Sequence, residues 1–349
     1  MPPSLALQAR STAPVCVGTG LVALDVFVEA STNEERFQRV GGSCGNVMTI
    51  LSYLGWDSFP LAKLGCDEGS ELLIRDVKRW GVKMDLALVE DGLFAPIVIE
   101  RLSNSTPGTD HLFEFACPHC GSVLPRLKPY SIDELRNTSE KIREIDVFYF
   151  DRTSLSAISL AKKMRDRGAL VFFEPSGMRN YQLFVESLKV ADIVKYSADQ
   201  LRMHRFPRNV KLAIETHGQF GLKYWLKPPR GRITPKWLNA FRIDGALDSA
   251  GAGDWCTAGL IQSLGQMGRS GLAESSTNEI EEALDFGQRL AALSCQFLGA
   301  RGMMYESTKK QIQEWMKGLE EEGQVGTTKP SPKEGKVPPV LCPECISIR

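Results

Sequence analysis

From about residue 146 to 197 the chain alternates short, wholly apolar runs with amphipathic stretches: DVFYF, SAISLAKKMRDRG, ALVFFEP, YQLFVESL and ADIVKYS. Runs of four or five apolar residues need cover on both faces, and the stretches between them repeat at helical spacing. That combination predicts an α/β fold, a largely parallel sheet with helices on both sides in three α/β/α layers. Upstream, VCVGTGLVALDVFVE reads as a buried strand whose apolar run breaks at Asp25. In RVGGSCGNVMTILSYLGW a diglycine turn opens a helix with Val47, Ile50, Leu51 and Leu54 at helical spacing. The segment LVEDGLFAPIVIERLSNSTPGTDHLFEF, residues 88 to 115, differs in kind and reads as antiparallel strands around a Ser/Thr/Pro/Gly/Asp turn, a small β-lid on the α/β body.

The expected organisation is therefore a leader at 1–14, a body at 15–322 with lid segments near 26–40 and 88–115, and a flexible tail at 323–349. Lys plus Arg and Asp plus Glu both number 42, so no global field favours nucleic acid or a membrane surface, and an anionic ligand must be held locally. With neither a secretory leader nor a membrane-spanning apolar run, the expectation is a soluble, cytoplasmic chain. The odd cysteine count of nine argues against a disulfide framework. Cys16, Cys44, Cys66, Cys256 and Cys295 stand singly and read as small buried hydrophobes.

The stretch most informative about chemistry is ALDSAGAGDWCTAGLIQSL, 246 to 264. A helix follows the turn Gly251, Ala252, Gly253, so its first amides and its dipole converge where small residues leave room for an anion. Asp254 follows directly, placed to take the proton of an attacking hydroxyl while the amides hold the transferred charge. Taken alone, GAGD fits equally a plain turn with an N-cap-like aspartate.

GAGD does not stand alone. DSAGAGDWCTAGL resembles the C-terminal signature of the PfkB carbohydrate kinases, with Ala250 where threonine is usual. RVGGSCGN through LGCDEGS resembles the N-terminal one, including the Gly-x-Asp-x-x-Gly of Gly65, Asp67 and Gly69. The resemblance covers most of residues 15 to 305 and implies the ribokinase-like fold with its β-lid. It implies ATP and Mg²⁺, a sugar or nucleoside acceptor, Asp254 as general base and 251–253 as anion hole. Asp25, Gly41, Gly42 and Asn46 fall where that family binds sugar hydroxyls. Lys195, Thr216, Gly218 and Gly221 fall on its nucleotide side, and Gln288 stands in its adenine-side helix where asparagine is usual. Two positions depart from the pattern. Ser197 and Gln200 replace an Asn-x-x-Glu that orders Mg²⁺, and Glu174 stands where an Asp-x-Asn is commoner. Those departures favour a rival reading, a catalytically weak kinase-like binding or regulatory protein. The lid leaves open a third, a transferase or ATPase acting on a larger acceptor.

Two CPxC frames remain, Cys117/Cys120 in ACPHCGS and Cys342/Cys345 in LCPECIS. Proline inside each resembles the zinc knuckle, and two such turns supply the four thiolates of a closed structural Zn²⁺ site, the alternatives being a redox pair or plain packing. Residues 324 to 340 are rich in Pro, Gly, Lys and Thr and give the tail reach. The expected clip joins the tail to the segment after the lid, and pairing between two chains of a homodimer is the competing geometry. His119 reads as an exposed turn residue.

Overall fold

In the computed structural model, residues 12–29, 31–102, 113–203, 207, 209–228, 232–322 and 324–325 are described. An eight-stranded sheet runs in the order Pro235–Leu238, Leu222–Leu226, Leu212–Thr216, Ile193–Ser197, Leu170–Phe173, Val147–Phe150, Val15–Thr19, Asp57–Leu61. Pairing is parallel from Leu212–Thr216 to Asp57–Leu61, and the two strands at the other edge are antiparallel.

The apolar runs are buried on both faces, as a covered parallel sheet requires. Val147, Tyr149, Leu170 and Phe172 face a core shared with helices Ser43–Leu54, Ala252–Leu264 and Thr277–Ser294. Their alternates Phe148, Phe150, Val171 and Phe173 face a second core with helices Ile132–Lys141, Leu155–Asp166 and Tyr181–Val190. Each such side chain contributes on the order of 1.5–3 kcal/mol relative to exposure.

The small sheet orders Glu35–Gly41, Ala23–Glu29, Ile97–Leu102, Phe113–Glu114. Two details differ from the sequence reading. The first apolar run is two strands, Val15–Thr19 in the large sheet and Ala23–Glu29 in the small one, because Gly20 (φ +150°) turns the chain between them. Asp25 therefore lies inside a lid strand and breaks nothing, since its side chain faces the site. Leu88–Val89 pairs in parallel with Lys63–Leu64 and lies outside the small sheet. Cys66 is exposed and Cys295 half-buried, while Cys16, Cys44 and Cys256 are buried. No helix among the described residues is long and apolar enough to cross a membrane.

Candidate active site

Parallel strands deliver their carboxyl ends to one rim, the usual ligand edge of an open α/β sheet. Here that rim carries Asp151 after Val147–Phe150, Glu174 after Leu170–Phe173, and Lys195 within Ile193–Ser197. The GAGD helix starts against it. Gly251 is its N-cap at φ +74°, and a Cβ there would sit 2.4 Å from Ala300 Cα, so only glycine fits. The first intrahelical bond is Trp255 N to Gly251 O at 2.9 Å, which leaves the amides of Gly253 and Asp254 ahead of the helical ladder. Asp248, unremarked in the sequence, accepts from Ala250 N at 2.8 Å and Gly299 N at 2.6 Å, fixing this turn against the 298–302 segment.

Over Gly253 stands a charged cluster. A Cβ on Gly253 would lie 3.6 Å from Lys195 Nζ and 3.9 Å from Glu174 Oε1. Lys195 is 2% exposed and ion-paired with Glu174. Glu174 Oε2 accepts from Thr257 Oγ1 at 2.7 Å and from the Tyr149 hydroxyl at 3.0 Å. Burial opposes the Lys195 charge, but the Glu174 carboxylate wins and holds the ammonium above its ordinary range.

Asp254 is half-buried in the mouth of this cluster, and Asn46 Nδ2 donates to its Oδ2 at 2.7 Å. Desolvation first, then the Glu174 charge, push its carboxyl up to about 8, against the lowering pull of Asn46 and Lys195. Asn46 belongs to helix Ser43–Leu54, whose N-cap is Gly42 at φ +76°. Asp25 lies directly over Gly41, where a Cβ would fall 1.6 Å from its Oδ2. Burial and then Glu100 raise the Asp25 carboxyl well above its usual range, while Arg301 and the Gly42 N–H oppose them. The four residues expected on the acceptor side, Asp25, Gly41, Gly42 and Asn46, thus meet beside Asp254.

Apart from Lys195, the residues expected on the nucleotide side stand one strand further out. Thr216 pairs in register with Ser197, and Gly218 and Gly221 form the turn that follows, closed by His217 N to Gly221 O at 2.8 Å. Gln200 is exposed, and Ser197 Oγ accepts from Asp199 N at 3.3 Å. Gln288 is 8% exposed on Thr277–Ser294, its Nε2 without a hydrogen-bond partner among the described residues. Asp67 of the Gly-x-Asp-x-x-Gly motif is structural: it N-caps Glu68–Arg79 through Ser70 N at 3.1 Å and takes Ala95 N at 3.3 Å.

Arg301, 1% exposed, ties the far wall by bonding Val40 O and Asp76. No sequence pattern marks it. Asp151 has a signal that went unused: a lone carboxylate ending the apolar run FYFD.

Cys117 and Cys120 sit in a tight hairpin closed by the Ala116–Val123 bridge, with Gly121 (φ +73°) donating to Cys117 O at 2.9 Å. Cys342 and Cys345 lie outside the described residues. Among the described residues no group of three or more His, Cys, Asp or Glu is placed to hold a metal ion.

This three-layer sheet with a four-stranded lid is the ribokinase-like fold. It superposes on a fructokinase with bound ATP from Xylella fastidiosa with a TM-score of 0.71 at 16% identity, covering 88% of this chain and 99% of that one. In sequence the chain is 22% identical to probable fructokinase-5 of Arabidopsis thaliana over 288 residues, 74% of this chain and 83% of the relative. It is 26% identical to an ATP-dependent ribose-1-phosphate kinase of Halopiger xanaduensis over 283 residues, 78% and 86% of the two. No family model matches the chain. Within the ribokinase-like class it is PfkB-like, and the resemblance read from its two signatures is borne out by these relatives.

Proposed function

We propose that the protein is an ATP-dependent kinase that phosphorylates a hydroxyl of a sugar or nucleoside. The observation that carries this reading is the Asp254 carboxylate, held by Asn46 at 2.7 Å and raised to about 8, at the start of a glycine-opened helix beneath Lys195. Asp25 and Asn46 orient the acceptor, whose hydroxyls donate to the carboxylate and to the amide oxygen. Asp254 takes the proton of the attacking hydroxyl as its oxygen bonds to the γ-phosphorus and the bond from that phosphorus to the β,γ-bridging oxygen breaks, releasing ADP. The amides of Gly253 and Asp254 and the Lys195 ammonium, beside which the transferred group sits, hold the charge that develops on it. Thr216, Gly218 and Gly221 line the nucleotide side, and the neighbourhood of the helix Thr277–Ser294 takes the adenine. Mg²⁺, when bound with ATP, neutralises the phosphate oxygens. Glu174 would be the acidic group that holds it, in place of the carboxylate that Ser197 and Gln200 lack.

Those last two groups favour a second reading, a kinase-like protein with weak turnover, because an amide replaces the carboxylate that orders the metal's waters. Incubation with Mg-ATP and a panel of sugars and nucleosides separates the two. A product heavier by one phosphoryl group supports the kinase. ATP binding with no product across the panel supports the second reading.

We propose further that the body at 15–322 carries an accessory clip, a structural Zn²⁺ held by Cys117, Cys120, Cys342 and Cys345. The hairpin with glycine after its second cysteine is a turn suited to two thiolate ligands of a tetrahedral site.

A further inference from the structure

Asp151 makes contacts that the phosphoryl-transfer chemistry does not require. It is 1% exposed at the carboxyl end of Val147–Phe150. Its Oδ1 accepts from Leu21 N at 3.0 Å, and its Oδ2 accepts from Cys44 N at 3.2 Å and pairs with Arg152 at 3.1 Å. Gly20 leaves the space: a Cβ there would fall 1.5 Å from Oδ1.

The two segments it grips both lead to the acceptor side. Leu21 stands just before the lid strand that carries Asp25, and its carbonyl takes Gly45 N at 3.1 Å. Cys44 opens the helix that carries Asn46, a helix with no side-chain cap at its N-cap and no acidic residue in its first turn. A carboxylate from another strand therefore satisfies an orphan amide and complements the dipole that the helix's own sequence leaves uncompensated.

We propose that Asp151 is a positioning residue of the acceptor site, clamping the 20–22 turn to the start of helix Ser43–Leu54 so that Asp25 and Asn46 keep a fixed spacing from Asp254. It rests, for its kinetic arm, on the kinase reading above. The clamp is charge-dependent, since an ionised carboxylate accepts on both oxygens while a protonated one gives up acceptor capacity. Desolvation raises Asp151 to about 6, against Arg152 and the Leu21 and Cys44 amides, with Glu174 adding to the rise. The other titratable groups facing it are the Cys44 thiol, the Tyr149 hydroxyl and Asp254. Of these, Asp254 at about 8 titrates well above it.

Two measurements on the full chain test the clamp. In the first, Asp151→Asn is assayed with ATP and with D-fructose and D-ribose as acceptor probes. The acceptor KM should rise about 10-fold or more with kcat within a few-fold and the ATP KM unchanged, and the extra steepening of acceptor kcat/KM below pH 6, on top of the climb toward pH 8 set by Asp254, should disappear. In the second, which uses no acceptor, amide hydrogen exchange is followed in wild type from pH 5 to 7.5, corrected for intrinsic rates, and in Asp151→Asn. Protection of 20–22 and 43–46 should fall below pH 6 and fall about 10-fold in the variant, while 252–264 stays protected. Unchanged protection at 20–22 and 43–46, or an equal loss across 252–264, overturns the proposal. So does an ATP KM that rises in step with the acceptor KM. If wild type phosphorylates neither sugar, the two probes are not its acceptors and the exchange arm alone judges the clamp. If the variant does not fold, wild-type exchange across pH 6 judges it.

Discussion

The Asn46 amide donates to Asp254 Oδ2 over 2.7 Å, joining the helix after the diglycine turn to the helix that the Gly251–Gly253 turn opens. Two signatures at opposite ends of the sequence thus become one site, and the bond keeps the candidate base aimed at the acceptor side of the rim.

Asp254→Asn keeps the size and the contact with Asn46 but cannot accept a proton. Phosphoryl transfer should fall on the order of 10²-fold or more while ATP affinity is retained. Desolvation and Glu174 raise the wild-type carboxyl to about 8, and the base works ionised, so acceptor kcat/KM should climb with pH up to about 8 and then level. A variant that turns over at the parent rate, or a profile that falls across that range, removes Asp254 from the role.

Gly41→Ala would place a methyl 1.6 Å from Asp25 Oδ2. The carboxylate must rotate away, and a displacement of that size costs roughly 10²-fold in a positioned reaction. The loss should appear with the acceptor, in KM or kcat, with ATP binding unmoved. Isothermal titration with ATP beside steady-state kinetics separates the two ligands.

Lys195→Met removes the cation from a buried pair and strands Glu174 between Thr257 and Tyr149. Breaking such a pair costs about 3–5 kcal/mol, so urea unfolding should shift markedly. Adding Glu174→Gln to the same chain should restore much of the stability without restoring turnover, because no ammonium then faces Gly253. If the single variant is as stable as the parent, Glu174 is not held by Lys195 in solution.

Ser197→Asn with Gln200→Glu restores the Asn-x-x-Glu that the resemblance to the PfkB kinases implies for ordering magnesium. The Mg²⁺ concentration for half-maximal activity should drop if those positions reach the metal. An unchanged titration would assign the metal to other groups, Glu174 first.

What the sequence made legible was what depends on local pattern. Alternating VFYF and LVFF announced covered strands, because residues buried on both faces leave no polar alternation to hide them. GAGD and the diglycine turn announced themselves because only small residues let an anion or a carboxylate approach the backbone. Lost to the sequence were contacts between distant segments. Asp151 reaching Leu21 and Cys44, Asp248 reaching Gly299, and Arg301 reaching Val40 and Asp76 depend on strand order, which periodicity does not encode. The apparent break at Asp25 has a related cause. A polar residue within an apolar run reads as a break, whereas a lid strand presents it to the site.

The zinc clip makes the prediction least tied to the kinase chemistry. Cys117 and Cys120 occupy one hairpin, which Asn33 buttresses by donating to Pro118 O at 3.1 Å, so these two ligands come from a preformed turn beside the lid. Two thiolates bind zinc weakly, and the second CPxC frame supplies the other pair needed for a closed tetrahedron. The full chain should therefore carry about one zinc per chain, and truncation before Cys342 should release it. The α/β core should stay folded after truncation, since its two apolar faces are complete within 15–322. Elemental analysis with near-equal zinc in both proteins would rule out the shared site. Zinc that leaves only when a dimer is separated would move the clip from within one chain to between two.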